Sequence, residues 1–232
     1  MTAHIKFTHR KPAKKVSLRV DPLRRVVTIT APRRHTDAQL IALLNTHHAW
    51  ITENLNRSHP IRLQEGMSLP LLGRDVRLHM TQGLGGKRIG LIDDVLICRS
   101  SVPSMSLPKF LQGEMLSYVM DKVAVFSERI HVSHSSIRIK KTRSRWGSCS
   151  QKGGLSFQWK LIFAPLEILD YVIVHEVCHL KHFNHSPAFW AQVMLLDPDF
   201  QAHRRWLKTN GGRLHAYFVE GSSETDCAPP TS

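Results

Sequence analysis

The sequence predicts an α+β protein, with a β-rich N-terminal region carrying one helix and a helix-dominated C-terminal domain. Three observations predict it. Alternating apolar and polar residues recur in the first hundred positions. Helical apolar spacing dominates after about residue 108. Between them lies 100–108, with two Pro and four Ser, which reads as a linker. The corresponding boundaries are 1–105, 106–218 and a tail, 219–232, whose lack of apolar periodicity reads as disorder.

The elements follow in order. Val16, Leu18 and Val20 alternate with polar residues and read as a strand. Asp21-Pro22 is a turn signal, and Val27–Thr30 a second strand closed by Pro32. From about Thr36, Leu40, Leu43, Leu44, Trp50, Ile51 and Leu55 lie on one broad helical face. Ile89–Ile92 and Val95–Ile97 flank Asp93-Asp94 as a hairpin. A long amphipathic helix runs from about Pro108 to Arg129. Strands are expected at Ser136–Lys141 and Leu155–Ile162, and three helical stretches from Pro165 to about Lys208.

Composition excludes several classes. At 232 residues, 42% hydrophobic and 22% charged, the chain can bury a core without disulfide staples. No apolar run approaches the ~20 residues that span a bilayer, so no membrane role is expected. The basic N-terminus lacks the apolar core of a secretory signal. Cys98, Cys149, Cys178 and Cys227 form no CxxC pair, which favours a reduced, cytoplasmic setting. The formal net charge is +14, and residues 1–65, with 12 Lys/Arg against 4 Asp/Glu, carry +8 of it.

The strongest chemical signal is His175-Glu176-Val177-Cys178-His179. On a helix, positions i and i+4 share a face, so both imidazoles can bind one Zn²⁺. Glu176 can then take a proton from a metal-activated water attacking a carbonyl. The preceding LEILDYVIV supplies a buried helix, with Pro165 near its first position and Glu167 and Asp170 near its positive end. A catalytic zinc needs a third protein ligand. His185 is preferred. Asn184 before it tolerates the left-handed backbone that ends helices, and Ser186-Pro187 after it reads as a new helix start. His182 competes from the same helical face if the helix continues, or orients a ligand. Asp197, Asp199 and Glu220 are acidic alternatives. The spacing 175–185 matches the metzincin signature except that His182 replaces its Gly, and Met194 lies in a helical context, so that assignment is rejected.

Together, Arg145-Trp146-Gly147-Ser148-Cys149, the helix Tyr171–His179, and Asn184-His185-Ser186 with Phe189-Trp190 resemble the YgjP-like metallopeptidases, zincin-fold proteins related to the SprT and WLM proteases. The resemblance covers roughly 10–210 and is most specific over 140–190. It implies a zincin-like catalytic domain, a zinc-dependent hydrolase acting on peptides, His175, His179 and His185 as metal ligands, and Glu176 as general base.

Other features carry two readings each. Trp146 is a candidate substrate-binding residue or a core residue. The strand Leu155–Ile162 is expected as an edge that pairs with an extended peptide. Phe189 and Trp190 read as core, and Cys178 as a buried apolar residue off the ligand face. Gly83–Arg88 reads as a hairpin turn, not a phosphate loop. Arg10, Lys11, Lys14, Lys15, Arg19, Arg24, Arg25, Arg33 and Arg34 form a solvated face or a nucleic-acid footprint. The alternative functions are therefore a nucleic-acid-associated protein with a structural zinc, and a protease recruited to protein–DNA complexes. His203, His215 and Tyr217 are candidates to stabilise a tetrahedral intermediate. Oligomeric state is left open.

Overall fold

A computed structural model describes residues 3–9, 14–56, 59–81, 89–99, 106–142 and 144–218. The predicted turn at Gly83–Arg88, most of the expected linker, the tail, Arg10, Lys11 and Glu220 lie outside the described residues. The described residues within Met1–Arg62 and His215–Ser223 form one compact unit, and those within Leu63–Leu214 another.

In the first unit, β1 (His4–His9), β2 (Ser17–Asp21) and β3 (Val26–Ala31) form a sheet in the order β1-β3-β2. β1 is parallel to β3 and β2 antiparallel to it. The period of two turns Val27, Ile29 and Ala31 to one face. There they pack with Leu40 of α1 (Asp37–Thr46) and with Ile51 and Leu55 of α2 (His48–Asn56). The single helix expected from Thr36 is thus two, interrupted at His47. Thr36 and Gln39 close a reciprocal capping box at the first helix start. Thr28 pairs with Lys6 on one side and Arg19 on the other, so both cations share the opposite, polar face of the sheet.

The second unit begins with a four-stranded sheet: β4 (Ser68–Leu71), β5 (Arg74–Thr81), β6 (Ile89–Ile92) and β7 (Val95–Arg99), ordered β4-β5-β7-β6. The hairpin at Asp93-Asp94 forms, with Asp93 in the left-handed region. β4 is only four residues long and carries Pro70, which weakens its signal, whereas in β5 Val76, Leu78 and Met80 alternate with Arg77 and His79, a pattern that sequence reading passed over. Helix α3 (Ser106–Arg129) buries Leu107, Leu111, Met115, Val119, Val123 and Phe126, a stripe at spacings of three and four. β8 (Ser136–Lys140), β9 (Gly147–Cys149) and β10 (Gly154–Gln158) form a second sheet ordered β8-β10-β9. A 3₁₀ turn, Trp159–Phe163, leads into α4 (Leu166–Cys178), followed by α5 (Pro187–Leu196) and α6 (Phe200–Leu214).

α4 is the centre of this unit. Nine of its residues are buried, including Leu169, Ile173 and Val177, as expected for a helix apolar nearly all round. Two polar contacts fix its rotation against α3: the Tyr118 hydroxyl donates to Asp170 Oδ1 at 2.6 Å, and Lys122 Nζ bonds Asp170 Oδ2 at 2.8 Å. The β4–β5 turn fixes its start. Gly73 has φ +75°, and a Cβ there would meet Leu166 Cβ at 2.9 Å. Gly73→Ala is expected to destabilise the protein by about 1–3 kcal/mol, through left-handed strain and overpacking, measured by urea unfolding.

Candidate metal centre

The histidines at the end of α4 occupy its last turn. His175 and His179 are one turn apart, with ring centroids 4.9 Å apart. The helix stops at Cys178, so His182 does not continue its face. Its backbone carbonyl instead accepts from His179 Nδ1 at 2.9 Å. A carbonyl only accepts, so Nδ1 carries the proton and Nε2 presents its lone pair. Sequence reading left open that His182 orients a ligand; it does so through the main chain.

His185 sits in the connection to α5. Ser186 caps that helix, its hydroxyl accepting from Phe189 N at 3.4 Å, with Pro187 in the first turn. Asn184 is not in the left-handed conformation expected of it, since the helix has already ended six residues earlier. The His185 ring leans on Phe189, edge-on at 4.9 Å, and stacks on Trp190 at 5.5 Å and 21°. Phe189 is fully buried, as expected. Trp190, expected in the core, is only half-buried, and its indole stacks on the exposed His185.

One ring nitrogen from each of His175, His179 and His185 lies within 4.8 Å of the other two. His175 Nε2 and His185 Nε2 are 3.2 Å apart. Two ligands of a tetrahedral zinc at ~2.0–2.1 Å are separated by about 3.3 Å, so this pair fits the ion. Two neutral imidazole lone pairs at that distance repel unless a proton or cation lies between them. Burial and its neighbours His179 and His185 push His175 down to about 3, and burial also lowers His179. Both are therefore held neutral, the form that ligates a metal. The outer partner found for His179 has no counterpart at His175, whose Nδ1 is buried without a hydrogen bond among the described residues. No fourth His, Cys, Asp or Glu joins the cluster among the described residues. Asp197 bonds His203 at 2.9 Å instead, and Asp199 is outside the cluster.

Glu176 is 5% exposed, and burial pushes its carboxyl up to about 8, offset in part by the charge of Arg145. A Cβ at Gly147 would lie 2.7 Å from the Glu176 carboxyl carbon. Glycine at that position lets strand β9 approach the acid side chain, a signal that sequence reading passed over inside the Arg145–Cys149 motif. β9 is an edge of its sheet, pairing Gly147, Ser148 and Cys149 with Phe157, Ser156 and Leu155. The strand expected as the substrate-pairing edge, Leu155–Ile162, is internal. It ends at Gln158 and is flanked by β8 and β9. The reason is topological: β8 and β9 precede it in sequence but enclose it in space.

The Trp146 indole lies against Gly211 of α6, and its carbonyl accepts from Gln158 N at 2.8 Å, closing the β9–β10 pairing. Cys178 is fully buried, and burial pushes its thiol up to about 12. Burial and the charge of Glu176 push the Cys149 thiol up to about 11. Tyr171, one turn before His175, is 6.0 Å from it and 6.4 Å from His203 by ring centroids.

A family model described as YgjP-like, metallopeptidase domain, matches residues 14–210. No curated protein matches the chain. A crystal structure of the metallopeptidase zymogen of Pyrococcus abyssi abylysin is similar over 41% of this chain and 96% of that one, with 21% identity and a TM-score of 0.38.

Proposed function

Because the chain belongs to the YgjP-like metallopeptidase domain family, we propose that it is a zinc-dependent peptidase whose ligands are His175, His179 and His185 and whose general base is Glu176. The observation that carries the reading is the convergence of three imidazole nitrogens within 4.8 Å beside a buried carboxyl. When bound, zinc supplies a Lewis acid that polarises a carbonyl and lowers the pKa of water. Three donors without a fourth among the described residues favour an open catalytic position over a closed structural site. No described helix is long and apolar enough to cross a membrane. Action on proteins or peptides in the cytoplasm belongs to the same proposal.

Each residue has a part in this reading. Glu176 holds the proton removed during attack and returns it to the leaving amine. Gly147 leaves room for that carboxyl. The free edge of β9 offers backbone groups to an extended peptide. His179 keeps its tautomer through the His182 carbonyl. Trp146 shapes the start of β9.

A fluorogenic peptide library tests the reading: cleavage should stop with a chelator and return with zinc. No cleavage of any peptide by the zinc-loaded chain would sink it. Gly147→Ala should lower kcat/KM by up to about 10²-fold, because its Cβ displaces the carboxyl, with metal content unchanged. Steady-state kinetics and metal analysis check this together.

A further inference from the structure

We propose that Arg204 binds a carboxylate of the substrate, so that the site favours peptides with an acidic side chain or a free C-terminal carboxylate within about three residues of the scissile bond. This rests on the peptidase reading.

Arg204 is exposed on α6, with its guanidinium carbon 4.9 Å from the centroid of Trp190. The same indole stacks on His185, and also on Phe200 at 5.3 Å and 19°. Phe200 is buried, so the ring that carries the cation is itself held. The guanidinium therefore lies within roughly 10 Å of the His185 ring, about three extended residues.

A cation–π contact with an indole uses none of the guanidinium's N–H groups as hydrogen-bond donors to a fixed acceptor, so they remain available to a ligand. Those donors match a carboxylate in a bidentate pair. Among the described residues Arg204 has no ion pair and no hydrogen bond to its side chain. The nearby acids are otherwise engaged. Asp197 bonds His203, with both side chains largely buried, and Glu176 faces Gly147. An exposed cation within roughly 10 Å of the His185 ring, without an ion pair among the described residues, is complementary to an anionic substrate.

The test is binding to the zinc-loaded Glu176→Gln protein, read by fluorescence anisotropy. The probes are four labelled peptides of one sequence, with Asp or Asn two residues from the central bond and a free or amidated C-terminus. At least one carboxylate peptide should bind about tenfold more tightly than the Asn amide. Adding Arg204→Gln should bring that ratio within about twofold. Arg204→Lys, which keeps charge but loses the planar fork, should retain only part of it. Arg205→Gln, a neighbouring exposed position, should leave it intact. The Asp and free-C-terminus arms separate the two carboxylate sources. Equal binding of all four peptides, or a preference that survives Arg204→Gln, would overturn the proposal. A preference lost in Arg204→Gln, in a protein whose zinc-loaded wild type cleaves no peptide of the fluorogenic library, would sink the peptidase reading and support Arg204.

Discussion

Glu176→Gln is expected to lower kcat/KM by about 10²–10⁴-fold with zinc content unchanged. The substitution keeps the shape of the side chain and removes its capacity to accept a proton. The three converging imidazoles are untouched, because Glu176 is not among them. Its environment explains the size of the effect. The carboxyl is 5% exposed and pushed up to about 8 without a metal, so it gains from any cation placed beside it and readily exchanges a proton near neutral pH. Full activity in the variant would remove Glu176 as the base. Loss of metal together with activity would instead make it structural.

His185→Ala is expected to weaken zinc binding by more than about 100-fold, since losing an outer partner of a ligand alone costs about 10–100-fold. His182→Ala is expected to stay within a few-fold of wild type. The contrast follows from geometry. His185 places Nε2 3.2 Å from His175 Nε2, whereas His182 acts through its main-chain carbonyl, which alanine also has. Competition titration with a chromophoric chelator measures both. Equal affinity in His185→Ala and wild type would move the third ligand elsewhere and reopen the acidic alternatives Asp197 and Asp199. Near-wild-type folding is expected of both variants, because each side chain sits in an exposed or half-exposed connection.

Helix α4 was legible because its signals are local. Apolar spacing, the entry at Pro165 and the i, i+4 histidines all lie within fifteen residues, and a helix converts that spacing directly into a shared face. The cap of α5 was legible for the same reason: Ser186-Pro187 needs only its own next turn. The helix from Thr36 was read as one because the apolar face of α1 and α2 is nearly continuous, while the break at His47 carries no Gly or Pro. β4 offers little pattern in four residues that include Pro70, while the alternation of Val76, Leu78 and Met80 with Arg77 and His79 made β5 legible locally, though it was passed over.

Residue types and short spacings thus set the chemistry available to this chain: two imidazoles and a carboxyl on one helical turn, a third imidazole in a capped connection, and an excess of positive charge. The tertiary structure decided which strand borders the carboxyl. Sheet order depends on pairings between distant residues, and it encloses β10 and exposes β9. It also decided that Gly147 is the point of close approach, that Trp190 supports His185 and is not simply core, and that Arg204 stands beside the same ring. The contacts of Gly147 and Arg204 have no local signature, because each joins elements distant in sequence, whereas His185 and Trp190 are five residues apart at the capped start of α5.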